Sequence, residues 1–132
     1  MKWSDSYATG ILRIDEQHKM IFQFAGDFRE ALDEGRGEGV AALLKSLGLY
    51  IRTHFGFEEQ CMERLRCPVA ALNKDAHARF KSTLMTFDDR YAAAGFNQDD
   101  ARALVDTIDA WLSSHICKID VSLRDHADVR QT

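Results

Sequence analysis

Apolar residues recur along the chain at intervals of three and four, with no sustained polar/apolar alternation, so the pattern predicts helices and no sheet. A first helix is expected over about 15–33, with Met20, Ile21, Phe24, Phe28, Ala31 and Leu32 on its apolar stripe. Gly35, Gly37 and Gly39 then read as a turn, because glycine weakens a helix and permits reversing dihedrals. A second helix over about 40–65 carries Leu43, Leu44, Leu47, Ile51, Phe55, Glu58 and Met62. Pro68 ends that pattern and suits the opening turn of a third helix, about 69–93, with Phe80, Leu84 and Phe87. Gly95 reads as its stop and Asn97 as the N-cap of a fourth helix, about 98–123. Asp99 and Asp100 complement the dipole in its first turn, and Leu104, Ile108, Trp111, Leu112, His115 and Ile119 face inward. Short connections between helices of this length imply antiparallel neighbours: an all-α, up-down-up-down four-helix bundle. Residues 1–14 form an N-terminal arm with no predicted structure, and 1–132 is expected to be one domain.

Composition narrows the function classes. With 29% charged residues and 45% hydrophobic, the chain is ordinary globular protein. Its mixed surface and net charge of −4 provide no footprint for nucleic acid. The first residues lack the apolar core of a signal peptide, and no apolar run reaches the ~20 residues of a spanning helix. A cytoplasmic address without membrane insertion is therefore expected. Cys61, Cys67 and Cys117, odd in number and without Cys-x-x-Cys spacing, are expected to be reduced thiols.

The histidines change the picture. His54 and Glu58 stand four apart on the second helix, so both project from one face; alone, such a pair is commonly a solvated contact or a core histidine. His18 lies four residues from both Ile14 and Phe22, His77 three before Phe80, and His115 four after Trp111. Four imidazoles, one per helix, thus lie on the stripes that face the core. Buried separately, each would need its own hydrogen-bond partner. A shared metal satisfies them together and gives Glu58 a reason to be buried as an ion. Imidazole and carboxylate donors within a bundle suit iron or manganese, and the absence of thiolates argues against structural zinc.

The chain resembles the hemerythrins, in particular the bacterial single-domain type, along nearly its whole length. The matching residues are Trp3-Ser4-Asp5, Gly10-Ile11, Ile14-Asp15-Glu16-Gln17-His18-Lys19, His54-Phe55-x-x-Glu58-Glu59, Pro68, His77-x-x-Phe80, and Trp111-Leu112-x-x-His115-Ile116-x-x-x-Asp120. The resemblance implies two non-haem iron ions joined by an oxo or hydroxo bridge. One would take His18 and His54, the other His77 and His115, with Glu58 and Asp120 bridging both. Dioxygen binds in the family at the open position of the two-histidine iron, so dioxygen or small anions at the iron centre are the expected partners. No residue is assigned a catalytic role.

One position departs from the family pattern of His-x3-His on the third helix: Asn73 stands four residues before His77. An amide is a weak ligand for iron, so a water held by Asn73 is expected instead, leaving an open position on each iron. A carrier benefits when only one iron is open. The substitution therefore favours a dioxygen or redox sensor, linked to or meeting a signalling effector domain. A carrier or store, and then an enzyme acting on peroxide or nitric oxide, are the rivals. Asp120 follows His115 by five residues, about 140° around an ideal helix, so the fourth helix is expected to widen locally in a π-turn. His126 reads as an exposed tail residue. Cys117 points away from the His115 face, and Cys61 packs near the cluster as a small apolar residue.

Overall fold

A computed structural model describes residues 2–116 of the chain. Four helices follow one another: α1 (Leu12–Asp33), α2 (Gly37–Arg64), α3 (Ala70–Ala94) and α4 (Gln98–Trp111), the last continuing into a single π turn over Leu112–Ile116. There is no strand among the described residues. Helix α1 packs on α2 and α4, and α3 packs on α2 and α4, so the helices form a ring in chain order. With three short connections, this is the predicted up-down-up-down bundle.

The helix ends follow from local chemistry. At the close of α1, Gly35 adopts φ +71°, the left-handed region that glycine enters without steric cost. Gly35 N–H then donates to Leu32 O and Arg36 N–H to Ala31 O, a Schellman closure. Gly35 alone makes this turn. Gly37 and Gly39, expected in it, lie in the first turn of α2, which begins three residues earlier than the 40 expected. The same closure ends α2, where Arg66 N–H donates to Glu63 O and Cys67 N–H to Met62 O. Here the left-handed residue is Arg66, at φ 53°. Pro68 sits in the turn before α3, whose helical run opens at Ala70. Gly95 and Asn97 act as read from the sequence. Gly95, at φ +78°, follows α3, and the Asn97 side chain accepts from Asp100 N–H at 3.0 Å.

Helix α1 also starts earlier than the expected residue 15, and the arm before it is ordered. Asp5–Tyr7 form a 3₁₀ turn, Tyr7 stacks on Phe22 at 5.7 Å, and Trp3 meets Phe22 edge-on at 5.9 Å. Asp15 ties arm to helix by accepting from Thr9 N–H (2.7 Å) and Thr9 Oγ1 (2.9 Å). That anchor holds Ile11 and Ile14 inside, so the first turn of α1 forms upstream of Asp15.

Two apolar clusters result. The larger runs through the bundle and includes Phe28, Leu47, Ile51, Phe55, Ile108 and Leu112; the smaller joins Ile11, Ile14, Cys61, Met62 and Cys67. Each fully buried aliphatic or aromatic side chain contributes about 1.5–3 kcal/mol. Met20, expected on the inner stripe, is 44% exposed, and Phe22 and Ala25 take its place beside Ile21. Among the described residues, no helix is long and apolar enough to cross a membrane.

Candidate metal centre

Between the two apolar clusters lies a layer of buried polar side chains: His18 from α1, His54 and Glu58 from α2, Asn73 and His77 from α3, and His115 from the π turn. Every one of them is at most 1% exposed. The layer's position follows from helix periodicity. Ile14, His18, Ile21, Phe22 and Ala25 fall on one face of α1, and Ile51, His54, Phe55, Glu58 and Met62 on one face of α2.

Glu58 is the hub. Its Oε2 is 2.9 Å from His18 Nε2 and 3.5 Å from His54 Nε2, and its Oε1 is 3.1 Å from His77 Nε2 and 3.9 Å from His115 Nε2. Each carboxylate oxygen therefore faces its own pair of imidazoles. Two donor groups arise, His18/His54/Glu58 and Glu58/His77/His115, each with ligand atoms within 4.8 Å of one another, and Glu58 is common to both.

The outer nitrogens fix the rings. Gln17 Oε1 lies 2.7 Å from His54 Nδ1, and Glu59 Oε2 lies 3.0 Å from His77 Nδ1. An amide or carboxylate oxygen can only accept, so both Nδ1 atoms donate and both Nε2 atoms keep a lone pair turned inward. Stacking holds the ring planes. His77 lies flat on Phe55 (3.7 Å between centroids, 2° between planes), and His115 lies on Trp111 (4.4 Å, 15°). The His77 lone pair thus meets Glu58 Oε1 and, at 3.0 Å, His115 Nε2. Converging lone pairs and a carboxylate repel unless a proton or a cation lies among them, and the donor set fits a divalent or trivalent ion.

Electrostatics agree. Burial pushes the Glu58 carboxyl up, but when the imidazoles are protonated the charge of His54 and hydrogen bonds from His115, His18 and His54 overcome it and hold Glu58 well below the usual carboxylate range, the proton taking the place of a cation. An ionised carboxylate in a dry layer of imidazoles is a bridging position for positive charge.

Five of the six residues expected as ligands, His18, His54, Glu58, His77 and His115, are brought together here. Asp120, the sixth, lies outside the described residues, as do Cys117 and His126. Asn73 is buried one turn before His77 on α3. The expected widening of the fourth helix appears as the π turn that carries His115. Cys61 and Cys67 lie buried in the smaller apolar cluster, and among the described residues neither joins a donor group. Burial outweighs the attraction of Arg64 and keeps the Cys61 thiol protonated to higher pH than usual. The orienting roles of Gln17 and Glu59 were not read from the sequence. Their signal was adjacency to His18 and Glu58, which puts them about 100° off the ligand face and toward a neighbouring helix.

Comparison with known proteins identifies the family. The family described as Hemerythrin HHE cation binding domain matches residues 9–125. Proteins named Bacteriohemerythrin from Stenotrophomonas maltophilia and Pseudomonas aeruginosa are each 28% identical over 123 residues, covering 93% of this chain and 78% of theirs. One from Methylococcus capsulatus is 28% identical, covering 91% of each chain. The matched span contains the whole buried donor layer, and the chain belongs to the hemerythrin HHE cation-binding family.

Proposed function

We propose that the chain is a non-haem di-iron, dioxygen-binding module that signals oxygen or redox state. The observation that carries this is Glu58, whose two oxygens face separate histidine pairs as a bridging carboxylate would. His18 and His54 would hold one iron, His77 and His115 the other, with Glu58 and Asp120 spanning both. The bound ferrous pair would supply electrons to dioxygen. Everything else falls to the chain. Gln17 and Glu59 orient two imidazoles, Phe55 and Trp111 fix ring planes, and the apolar clusters on either side exclude bulk water. The bacteriohemerythrin names of its relatives support a dioxygen-binding role.

Sensor is preferred to carrier because of Asn73. It occupies, fully buried, the position one turn before His77 where the family pattern has histidine. With a weak ligand there, the His77/His115 iron would keep a position for water or a small anion, and easy oxidation suits a signal better than a store. An effector, covalently linked or separate, would read the change. The test is metal content with an optical spectrum of air-exposed protein. Two irons per chain with charge-transfer bands are expected; zinc, or one metal alone, would overturn the di-iron reading.

A further inference from the structure

Helices α2 and α3 leave an open groove of about 460 Å³ between them on the outside of the bundle. From α2 it takes Lys45, Gly48, Leu49 and Arg52, which helical spacing puts on one face. Tyr91 of α3 lies at one end. At the other, a narrow cleft that shares Gly48 and Arg52 continues to Lys81 and Met85.

Two features set this groove apart. The first is apolar exposure. Leu49 is 61% exposed, Met85 55% and Tyr91 37%, so three large apolar side chains gather around one depression. Single exposed apolar residues are ordinary, whereas a group of them beside a cavity marks a contact surface. Gly48 keeps the floor open. Glycine weakens a helix interior relative to alanine, and a Cβ at Gly48 would meet no atom within 4 Å, so packing does not demand glycine there. The second feature is charge. Arg29, Arg36, Arg79, Arg90 and Arg102 each pair with a carboxylate. Lys45, Arg52 and Lys81 pair with none among the described residues, although Asp88 lines the same groove. Three cations against one carboxylate make the groove locally positive on a chain whose net charge is −4.

We infer that this groove docks an amphipathic helix of a partner protein, with the partner's apolar stripe on Leu49 and Met85 and its flanking carboxylates on Lys45, Arg52 and Lys81. A depression between two antiparallel helices accepts a third by ridge-and-groove packing, and residues 45–52 span about 10 Å, two turns of such a helix. A second copy docked by the same face would set the three cations against their own counterparts. A flat lipid surface fits a concave floor poorly. No member of the donor layer lines the groove, so the inference does not rest on the di-iron reading. Arg52 nonetheless precedes His54 by two residues and Lys81 follows His77 by four, so one end of the groove adjoins the turns that carry those histidines.

The probe is a stapled helical peptide of about 18 residues, with leucines at i, i+3 and i+7 and glutamates on both flanks, titrated into the whole chain. Shifts of the backbone amide resonances should centre on Gly48, Leu49, Met85 and Asp88. Gly48→Phe, which fills the floor, should weaken binding by about tenfold. Leu49→Ser with Met85→Ser, at exposed positions, replaces it should Gly48→Phe disturb folding. Lys45→Glu with Arg52→Glu should weaken binding by about tenfold at low salt, less at high salt, and should instead take up the same peptide with lysines for glutamates. Shifts centred elsewhere, or equal affinity of the wild type for the glutamate and lysine peptides, would overturn the proposal. So would a wild-type dimer that Gly48→Phe dissociates, which makes a second copy the occupant. Retention by phosphatidylglycerol vesicles without any binding of the peptide would overturn it in favour of a membrane.

Discussion

Removing the Glu59 carboxylate should weaken one metal position and spare the other. Glu59 meets the donor layer at His77, through the 3.0 Å bond from Nδ1–H. In Glu59→Ala that N–H, on a ring with no exposed surface, loses its acceptor. Such a loss costs about 1–3 kcal/mol when nothing replaces the partner. The Glu59 side chain is 23% exposed, so water can reach the vacated place, and the lower half of the range applies. About 1–2 kcal/mol corresponds to a five- to thirtyfold loss of affinity, within the 10–100-fold commonly seen when a ligand histidine loses its outer partner. Competition against a chelator of known affinity, read as metal per chain, should show one tightly held ion and one weakened. Glu59→Gln keeps an accepting oxygen and should fall between the two. Gln17→Ala removes the 2.7 Å partner of His54 and should weaken the opposite ion. If Glu59→Ala holds both ions as tightly as the wild type, or if it and Gln17→Ala weaken the same ion, the orienting argument fails.

Arg66 holds a left-handed conformation that costs a residue with Cβ about 1 kcal/mol, so Arg66→Gly should raise the midpoint of thermal unfolding by about 3–5 °C; no rise would mean that Arg66 contacts repay the strain. Glu58 is held below its ordinary value of 4.5 in the folded chain, so the unfolded chain takes up the proton first as pH falls. Metal-free protein should therefore lose stability as pH drops below that value toward the folded one, and a denaturant series in Glu58→Gln should lack this component. Reduced protein in air should oxidise without a long-lived dioxygen adduct, and Asn73→His should lengthen the adduct's life. Equal lifetimes by stopped-flow absorbance would separate Asn73 from reactivity.

How much of this was legible beforehand depended on the range over which each feature is decided. Gly95 and Asn97 act within a few residues, through a left-handed dihedral and one side-chain cap, so their roles could be read directly. The four histidines were legible because helical periodicity puts each beside apolar neighbours. The start of α2 was not, because glycine propensity alone does not reveal that one left-handed residue completes the turn and that Gly37 and Gly39 fold on into helix. Met20 was misplaced for a related reason. Several faces of α1 are apolar, and contact with α2 and α4 decides which is covered. The partners Gln17 and Glu59 lie 37 and 18 residues from the histidines they orient, and no local pattern encodes such distances.

The donor layer also explains why this bundle tolerates so much polarity inside. Four imidazoles and a carboxylate in place of aliphatic side chains forfeit apolar burial, and they concentrate lone pairs at Glu58. Phe55, Trp111, Gln17 and Glu59 hold the rings against that repulsion, so the cost is met in the folded chain before any ion arrives. An ion that binds the folded layer and not the unfolded chain returns that free energy as stability, by about 1.4 kcal/mol for each tenfold rise of ion concentration above its dissociation constant. The two apolar clusters have unequal weight in this balance. The larger one, with Phe28, Leu47, Ile51 and Ile108, runs through the bundle, whereas Ile11, Ile14, Met62 and the two thiols form only a small cap. That cap and the arm are anchored through Asp15 and Thr9, three residues from His18 along α1. A change of charge in the layer should therefore be felt first at this end of the bundle, where the arm meets the helix that carries His18, and faster amide exchange at Thr9 than in α3 after oxidation would check it.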